Sequence, residues 1–313
     1  MQRRAALALL AAPSLARAQF TRPIRLVVPF PPGGSNDVIA RPLAEKPAPR
    51  LGQPVVVENR PGAGGAIGAA QVAQAAADGT TLMITSSSFA ASAVIQRTPY
   101  DAQTSFETVA TLARAPFVVL TNPGFPPRDF AGLLAYIRAN PGAVDFGSSG
   151  PGGINHFVTE YFALAAGLRM NHVPYRGMPP AVTDLVAGHI PLLITTMASA
   201  SGAIRENRVR LLAYTAPGAP DSNPQAPTTR ALGLDYEISI WWGLLAPRGL
   251  PAAISAALQA AVREALAEPD VARIYEAEGA RPAFAPAAAF QAELAAEIAR
   301  FRDVAARANI RAE

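Results

Sequence analysis

Two short segments of this 313-residue chain carry residue types suited to holding an anion. The first is Ile24-Arg-Leu-Val-Val-Pro-Phe-Pro-Pro-Gly-Gly-Ser-Asn-Asp37. β-type residues from Ile24 to Val28 run into a Pro/Gly turn, and a helix is expected to open at Ser35. Ser35 reads as the N-cap, and Asp37 stands in the first turn, where a carboxylate suits the positive end of the helix dipole. Gly33 and Gly34 allow positive φ and close approach to the backbone. A strand, a glycine turn and a free helix N-terminus together form an anion cradle. Phe30, Gly33, Gly34, Ser35, Asn36 and Asp37 are its candidate binding residues. No lysine lies in the turn, so it is not a Walker-type phosphate loop. The expected guest is a small carboxylate. Taken alone, the segment fits a plain βα turn equally well.

The second segment, Val144-Asp-Phe-Gly-Ser-Ser-Gly-Pro-Gly-Gly-Ile-Asn-His156, repeats the design. A helix is predicted from Ile154 to Ala166, with Phe157, Tyr161, Phe162 and Ala165 at helical spacing. Ser148 and Ser149 are expected to donate hydrogen bonds to a carboxylate, with Gly150, Gly152 and Gly153 beside them. His156 either faces the ligand or bonds a nearby carbonyl. Two such cradles far apart in the chain predict two α/β lobes facing each other across a cleft.

Further candidates sit at other strand ends. Ser86 and Ser87 fall in Thr85-Ser-Ser-Ser88, after a predicted strand, where open α/β sheets bind ligands; the alternative is a plain turn. Phe30, Phe89, Trp241 and Trp242 are either cleft walls or core. Tyr175 and Arg176 follow a second-lobe strand. Arg176 reads as a partner for a distal carboxylate, a surface charge or a latch on lobe closure. Asp184 is expected to hold the Tyr175–Gly177 loop through backbone hydrogen bonds, with direct ligand contact as the second reading.

Catalytic and cofactor chemistries find little support. Gly147-Ser-Ser-Gly-Pro151 approximates a nucleophile elbow, but the last position needs glycine and holds Pro151. Gly62-x-Gly64-Gly65-x-x-Gly68 lacks dinucleotide spacing and a following acid. His156, His172 and His189 show no close metal spacing, and Asp37, Glu58, Asp145 and Asp184 are too scattered for calcium. With no cysteine, thiolate chemistry and disulfides are absent. No cofactor, no metal and no enzymatic activity are expected.

The N-terminus reads as a signal peptide spanning residues 1–18. Arg3 and Arg4 precede a short apolar run, Ala5 to Ala12, and Ala16-Arg-Ala18 is an A-x-A-like cleavage site. The apolar run is far short of the ~20 residues that span a bilayer. Removal of Arg3, Arg4 and Arg17 takes the formal charge from +4 to +1, since +4 − 3 = +1. A near-neutral mature chain gives no reason to expect nucleic-acid binding. The periplasm is the expected location.

These segments need an alternating scaffold. Strands are predicted at 24–30, 55–58, 82–85, 117–120, 144–146, 170–173, 192–195, 211–214 and 238–245. Helices are predicted at 36–44, 66–76, 130–140, 154–166, 179–187 and 202–206. This is an α/β pattern, and short apolar strands suit a mostly parallel, buried sheet. Three C-terminal helices, at 252–267, 270–278 and 287–308, are expected to pack back on the first lobe. Connectors at Arg114–Pro116 and Pro217–Pro227 divide the chain into a discontinuous first lobe, 22–115 with 226–313, and a second lobe, 116–225.

With both cradles placed, the chain resembles the Bug-type solute-binding proteins, the extracytoplasmic receptors of tripartite tricarboxylate transporters. The resemblance runs from Pro23 to about Ile310. It rests on Ile24–Asp37, on Gly52-Gln-Pro-Val-Val-Val-Glu-Asn-Arg-Pro-Gly-Ala-Gly-Gly65 and on His172-Val-Pro-Tyr-Arg-Gly177. It continues through Pro180-Ala-Val-Thr-Asp-Leu185 and Trp242-Gly-Leu-Leu-Ala-Pro247. The resemblance implies a two-lobed periplasmic binding protein, type II-like, with ligand between the lobes. It implies a carboxylate held by backbone and hydroxyl groups of the two turns with bridging water, and integral-membrane transporter subunits as partners of a monomeric receptor. A signalling receptor of the same fold is the alternative. Two departures are local: Asp78-Gly-Thr80 lacks the usual tyrosine, and Pro47 and Pro49, each worth roughly 3 kcal/mol against a helix, should end the first helix early.

Overall fold

The computed structural model describes residues 20–46 and 48–311. The signal-peptide segment and Pro47 lie outside the described residues. The elements in order are β1 (Ile24–Val28), α1 (Ser35–Glu45), α2 (Ala48–Leu51), β2 (Val55–Asn59), α3 (Ala66–Ala73), β3 (Thr81–Ser86) and α4 (Ser87–Ile95). They continue with β4 (Phe106–Thr121), α5 (Phe130–Ala139), β5 (Asp145–Ser148), α6 (Ile154–Ala166), β6 (Asn171–Pro174), α7 (Met178–Ala187), β7 (Leu192–Thr196) and α8 (Met197–Arg205). The last are β8 (Arg210–Tyr214), β9 (Ser239–Pro247), α9 (Ala252–Leu266), α10 (Pro269–Ala277), β10 (Arg281–Pro286) and α11 (Ala287–Ala308).

Two sheets share one strand. The first runs β2-β1-β3-β9-β4-β10 and the second β8-β4-β7-β5-β6. β4 is 16 residues long. Phe106–Pro116 pairs with β9, and Phe117–Thr121 pairs with β7. Arg114–Pro116, expected as a connector, is therefore the middle of a strand. The chain crosses from sheet to sheet without leaving extended geometry. The second crossing, between β8 and β9, is pinned by the buried Thr215. Its hydroxyl accepts from Phe117 N at 2.8 Å and donates to Ile238 O at 2.6 Å.

The sheets are mixed rather than mostly parallel. β1 pairs in parallel with β2 and β3, and β5 with β6 and β7. The central strands β9 and β4 run antiparallel to their neighbours. Returning the chain twice through the shared centre imposes this reversal.

The core holds the register. β3 is buried along its whole length, and Trp241 and Trp242 of β9 are no more than 1% exposed. Helix α11 lays Phe290, Leu294, Ile298 and Phe301 against this core. It packs on α4 and β4 and also reaches α6 of the second sheet, where Phe301 meets Phe157 at 4.9 Å between ring centroids. The C-terminal helix thus braces both halves, beyond the first-lobe contact expected of it. α1 accommodates Pro42 in its interior and ends at Glu45.

Candidate ligand-binding site

The strand register brings the two cradles toward one region. Ser86, the last residue of β3, is level with Trp242, which is level with Ala113 of β4. Thr196, the last residue of β7, is level with Phe117 of the same strand. β3 and β7 run in opposite directions along β4, so their carboxyl ends approach the same short stretch of it. β1 lies parallel to β3, and β5 parallel to β7. Open α/β sheets bind ligands outside such strand ends.

In the first cradle, Gly33 adopts φ +81°, a conformation glycine reaches without Cβ strain. Gly34, with φ −76° and ψ 164°, is the N-cap in place of Ser35. Its carbonyl accepts from Asp37 N at 2.9 Å and Val38 N at 3.0 Å, which makes Ser35 the first helical residue. The expectation of positive φ at Gly34 is also corrected; what glycine provides there is an uncovered backbone, exposed to solvent. Among the described residues, the N–H groups of Ser35 and Asn36 have no protein acceptor. They form the open end of α1. Phe30 is half-buried and lies beside Gly65.

Asp37 acts from behind the turn. It is 1% exposed and accepts from Gly33 N at 2.9 Å, Asn59 Nδ2 at 2.9 Å and Arg41 Nε at 2.9 Å. Burial opposes its ionisation. The Gly33 N–H, the Asn59 amide and the Arg41 guanidinium outweigh that and hold its carboxyl below the usual range. Asp37 shapes the turn and has no face left for a ligand. Asn36 is also buried, and its Oδ1 has no hydrogen-bond partner.

The second cradle spends more of its polar groups on itself. Ser148 is fully buried; its Oγ donates to Gly150 O at 3.1 Å, accepts from Gly150 N at 3.1 Å and lies 2.6 Å from His172 Nε2. Gly152 N donates to His156 Nδ1 at 3.1 Å, and Gly153 N to Gly150 O at 3.2 Å. Ser148, Gly150, Gly152 and Gly153 therefore build the turn, and His156 faces it from inside, accepting an amide rather than donating to a carbonyl. The groups left over are the N–H groups of Ile154 and Asn155, without protein acceptors among the described residues, and the half-buried Ser149 hydroxyl. That hydroxyl has only a long 3.4 Å contact with Asn155 Oδ1. The Asn155 amide is anchored by Nδ2 to Ile194 O at 3.0 Å.

Helix α4 links the two turns. A side chain on Gly65 would meet the Phe30 ring, one on Gly64 would meet Gln96, and one on Gly152 would collide with Ile95. The Gly62–Gly68 turn is thus a packing device, with Gly65 at φ +98°. At the start of α4, Ser86 is buried and Ser87 Oγ accepts from Trp241 N at 3.2 Å. Fully buried, Ser87 ties the start of α4 to β9. Phe89 stacks on Tyr100 and meets Phe106 edge to face, and Trp241 meets Phe290 edge to face, which assigns both to the core. Trp242 is buried too, with its Nε1 unpartnered.

Tyr175 hangs on the second cradle by its backbone, N to Ser148 O at 3.0 Å. Its phenol donates to Asp184 Oδ2 at 2.7 Å. That hydrogen bond and one from His189 hold the Asp184 carboxyl below the ordinary range. Asp184 does hold this loop, through the tyrosine side chain rather than through backbone amides. Arg176 is exposed and makes no ion pair among the described residues. His172 was not singled out from sequence as a site residue. Its signal was indirect, since it opens the motif that ends in Tyr175-Arg-Gly177.

Chemically, the two turns offer amide and hydroxyl donors at two helix ends and no exposed nucleophile. The one serine–histidine contact uses a serine sealed from solvent, and no acid bonds the far nitrogen of His172 among the described residues. Amide and hydroxyl donors at helix N-termini are chemically suited to holding an anion.

This geometry is that of a periplasmic solute-binding protein, and comparison with solved structures agrees. The chain superimposes on an R. palustris protein solved with adipate at a TM-score of 0.78 and 33% identity, covering 93% of this chain and 98% of that one. It superimposes on MatC from Rhodopseudomonas palustris, solved with bound malate, at 0.73 and 32% identity, covering 91% and 99%. BugT of Bordetella pertussis is 37% identical over 299 residues, 94% of this chain and 92% of that protein. Residues 39–309 match the family described as tripartite tricarboxylate transporter family receptor, and the chain belongs to that family. Its relatives are receptors rather than enzymes.

Proposed function

We propose that the protein captures a small carboxylate between the β1–α1 and β5–α6 turns and presents it to a membrane transporter of the tripartite tricarboxylate type. The observation that carries this reading is the pair of open helix ends, Ser35–Asn36 and Ile154–Asn155, each following a strand whose parallel neighbour ends level with the 113–117 stretch of β4. Helix ends contribute roughly 0.3–1 kcal/mol each, up to ~2 when partly buried. Charge-assisted hydrogen bonds add roughly 1.5–3 kcal/mol each. Together they reach the ~8 kcal/mol of a micromolar site. In this reading residues 22–115 with 226–313 form one lobe, 116–225 the other, and the monomeric receptor works in the periplasm after removal of residues 1–18.

Two relatives hold adipate and malate. A dicarboxylate is accordingly the first class to test, with the exposed Arg176 beside the second cradle as the partner for its far end. A thermal-shift screen of mono-, di- and tricarboxylates, amino acids and aromatic acids, followed by calorimetry, tests the proposal. Ligand at a hundredfold excess over Kd should add roughly 2.7 kcal/mol of stability. Uniformly flat melting curves across the acids would overturn it.

A further inference from the structure

Behind the second cradle two imidazole rings lie face to face. His156 of α6 and His172 of β6 stack with centroids 3.6 Å apart and planes 16° from parallel. Phe146 of β5 stacks on His172 at 5.2 Å. Each ring grips one part of the Ser148–Gly153 turn. His156 Nδ1 accepts from Gly152 N at 3.1 Å, which requires a neutral ring with its proton on Nε2. His172 Nε2 lies 2.6 Å from Ser148 Oγ, which in turn contacts both N and O of Gly150 at 3.1 Å. One assignment satisfies all three Ser148 contacts. His172 Nε2–H and Gly150 N–H donate to the hydroxyl oxygen, and the hydroxyl donates to Gly150 O.

We infer that the stacked His156–His172 pair is a positioning device for ligand capture, setting the shape of the Ser148–Gly153 turn so that Ser149, Ile154 and Asn155 are the donors left for the anion. The inference rests on reading that turn as half of the anion site. Gly150 has φ +125° and Gly152 φ +66°. Two consecutive bends of this kind need fixed partners if the next amides are to point the same way, and the two rings are those partners. Among the described residues neither ring hydrogen-bonds the open amides, so both act through the turn rather than on the ligand.

The charge environment suits a device that stays set. The titratable group facing the stack is Glu160 from α6, its Oε1 3.8 Å from His156 Nε2. β5 presents Phe146 to the stack, and α4 presents Ile95 to Gly152. Burial, reinforced by His172, pushes His156 down to about 3, and burial pushes His172 down to about 4 and Glu160 up to about 7. Both rings therefore remain neutral well below the ordinary histidine range.

The test uses the mature protein and four variants, His156→Leu, His156→Asn, His172→Phe and His172→Gln. Asparagine offers an acceptor near the place of Nδ1, and glutamine a donor near the place of Nε2. Calorimetry with adipate and malate measures affinity, and nitrogen-15 spectra of the apo protein report the Gly150 and Gly152 amides and the histidine tautomers. We expect H156L and H172F to lose at least tenfold in affinity while keeping a cooperative fold, and H156N and H172Q to recover most of that loss. The apo spectrum should show His156 unprotonated on Nδ1 at pH 5.5. Wild-type affinity in H156L and H172F, or equal loss in the polar and apolar variants, would overturn the inference. Should the wild type bind neither acid, the choice of dicarboxylate fails on that result alone. The apo spectra then decide this inference: a Gly152 amide moved by H156L and restored by H156N supports it, and an unmoved amide refutes it.

Discussion

At the residue scale, the proposed anion site turns on which amides the two cradles leave uncovered. Gly34 is the sharpest case. Its φ of −76° suits any residue, and a Cβ there would lie at an ordinary 3.5 Å from Pro31 O. Gly34→Val should therefore fold normally yet abolish binding, because the branched side chain stands where a ligand must approach the backbone. Calorimetry on folded G34V decides the matter; wild-type affinity would refute the cradle. Ser149→Ala should cost less, about 1 kcal/mol or several-fold in Kd, since it removes one hydroxyl donor. Asp37→Asn removes the charge that holds Gly33 N–H and Arg41, and should lower both thermal stability and affinity, by about 1.5–3 kcal/mol in total. Unchanged affinity in D37N would show that the turn keeps its shape without the carboxylate. The sequence showed the glycines and hydroxyls but not their division of labour. Ser148, Ser149 and His156 are neighbours of similar polarity; only the fold shows that Ser148 and His156 turn inward and Ser149 does not.

At the element scale, helices were the more legible. α6 and α11 fall on their predicted ranges because their apolar faces repeat at helical spacing. α8 begins five residues earlier than its predicted start at 202, because Met197-Ala-Ser-Ala-Ser201 has little apolar periodicity. β10 was invisible, since Pro282 and Pro286 argue against a strand; its place at the edge of a sheet, paired among the described residues only with β4, explains their tolerance. α11 also carries a buried acid that periodicity concealed. Glu297 is 5% exposed and accepts from Trp241 Nε1 at 2.5 Å. Burial pushes its carboxyl up to about 8. The folded state thus retains a proton that the unfolded chain releases near its ordinary value of 4.5. This contribution to stability is complete below that value and is lost as pH rises toward 8. Glu297→Gln keeps an acceptor for Trp241 and removes the titration. E297Q should match the wild type at pH 4.5 and exceed its stability at pH 8.5, by several kcal/mol at most. Parallel denaturation curves at the two pH values would contradict this.

At the scale of the molecule, the two halves are coupled where β4 and the β8–β9 segment run side by side. Thr215 joins these crossings through its backbone and its hydroxyl, with Thr215 N also donating to Phe117 O at 3.0 Å. Thr215→Val preserves volume but leaves Phe117 N–H and Ile238 C=O without their partner. It should cost about 1–3 kcal/mol in chemical denaturation. A change below 0.5 kcal/mol, about the scatter of surface substitutions, would show that these crossings are held by other contacts. Two lobes were legible from the repeated strand-turn-helix design. A strand common to both was not, because Arg114 and Pro116 read as punctuation in a linear sequence and are tolerated here by long-range pairing.

The shared strand also bears on how such a receptor can be taken apart or rebuilt. A cut at Pro116 would leave each half with its own part of β4, Phe106–Pro116 still paired with β9 and β10 and Phe117–Thr121 still paired with β7 and β8. The smaller half would keep only Phe117–Thr121 to hold β7 and β8 together. What separation would remove is the cover of α11: Phe157, fully buried against Phe301, would be laid open. A separately expressed second half should therefore aggregate rather than remain a folded monomer, as size-exclusion chromatography would show.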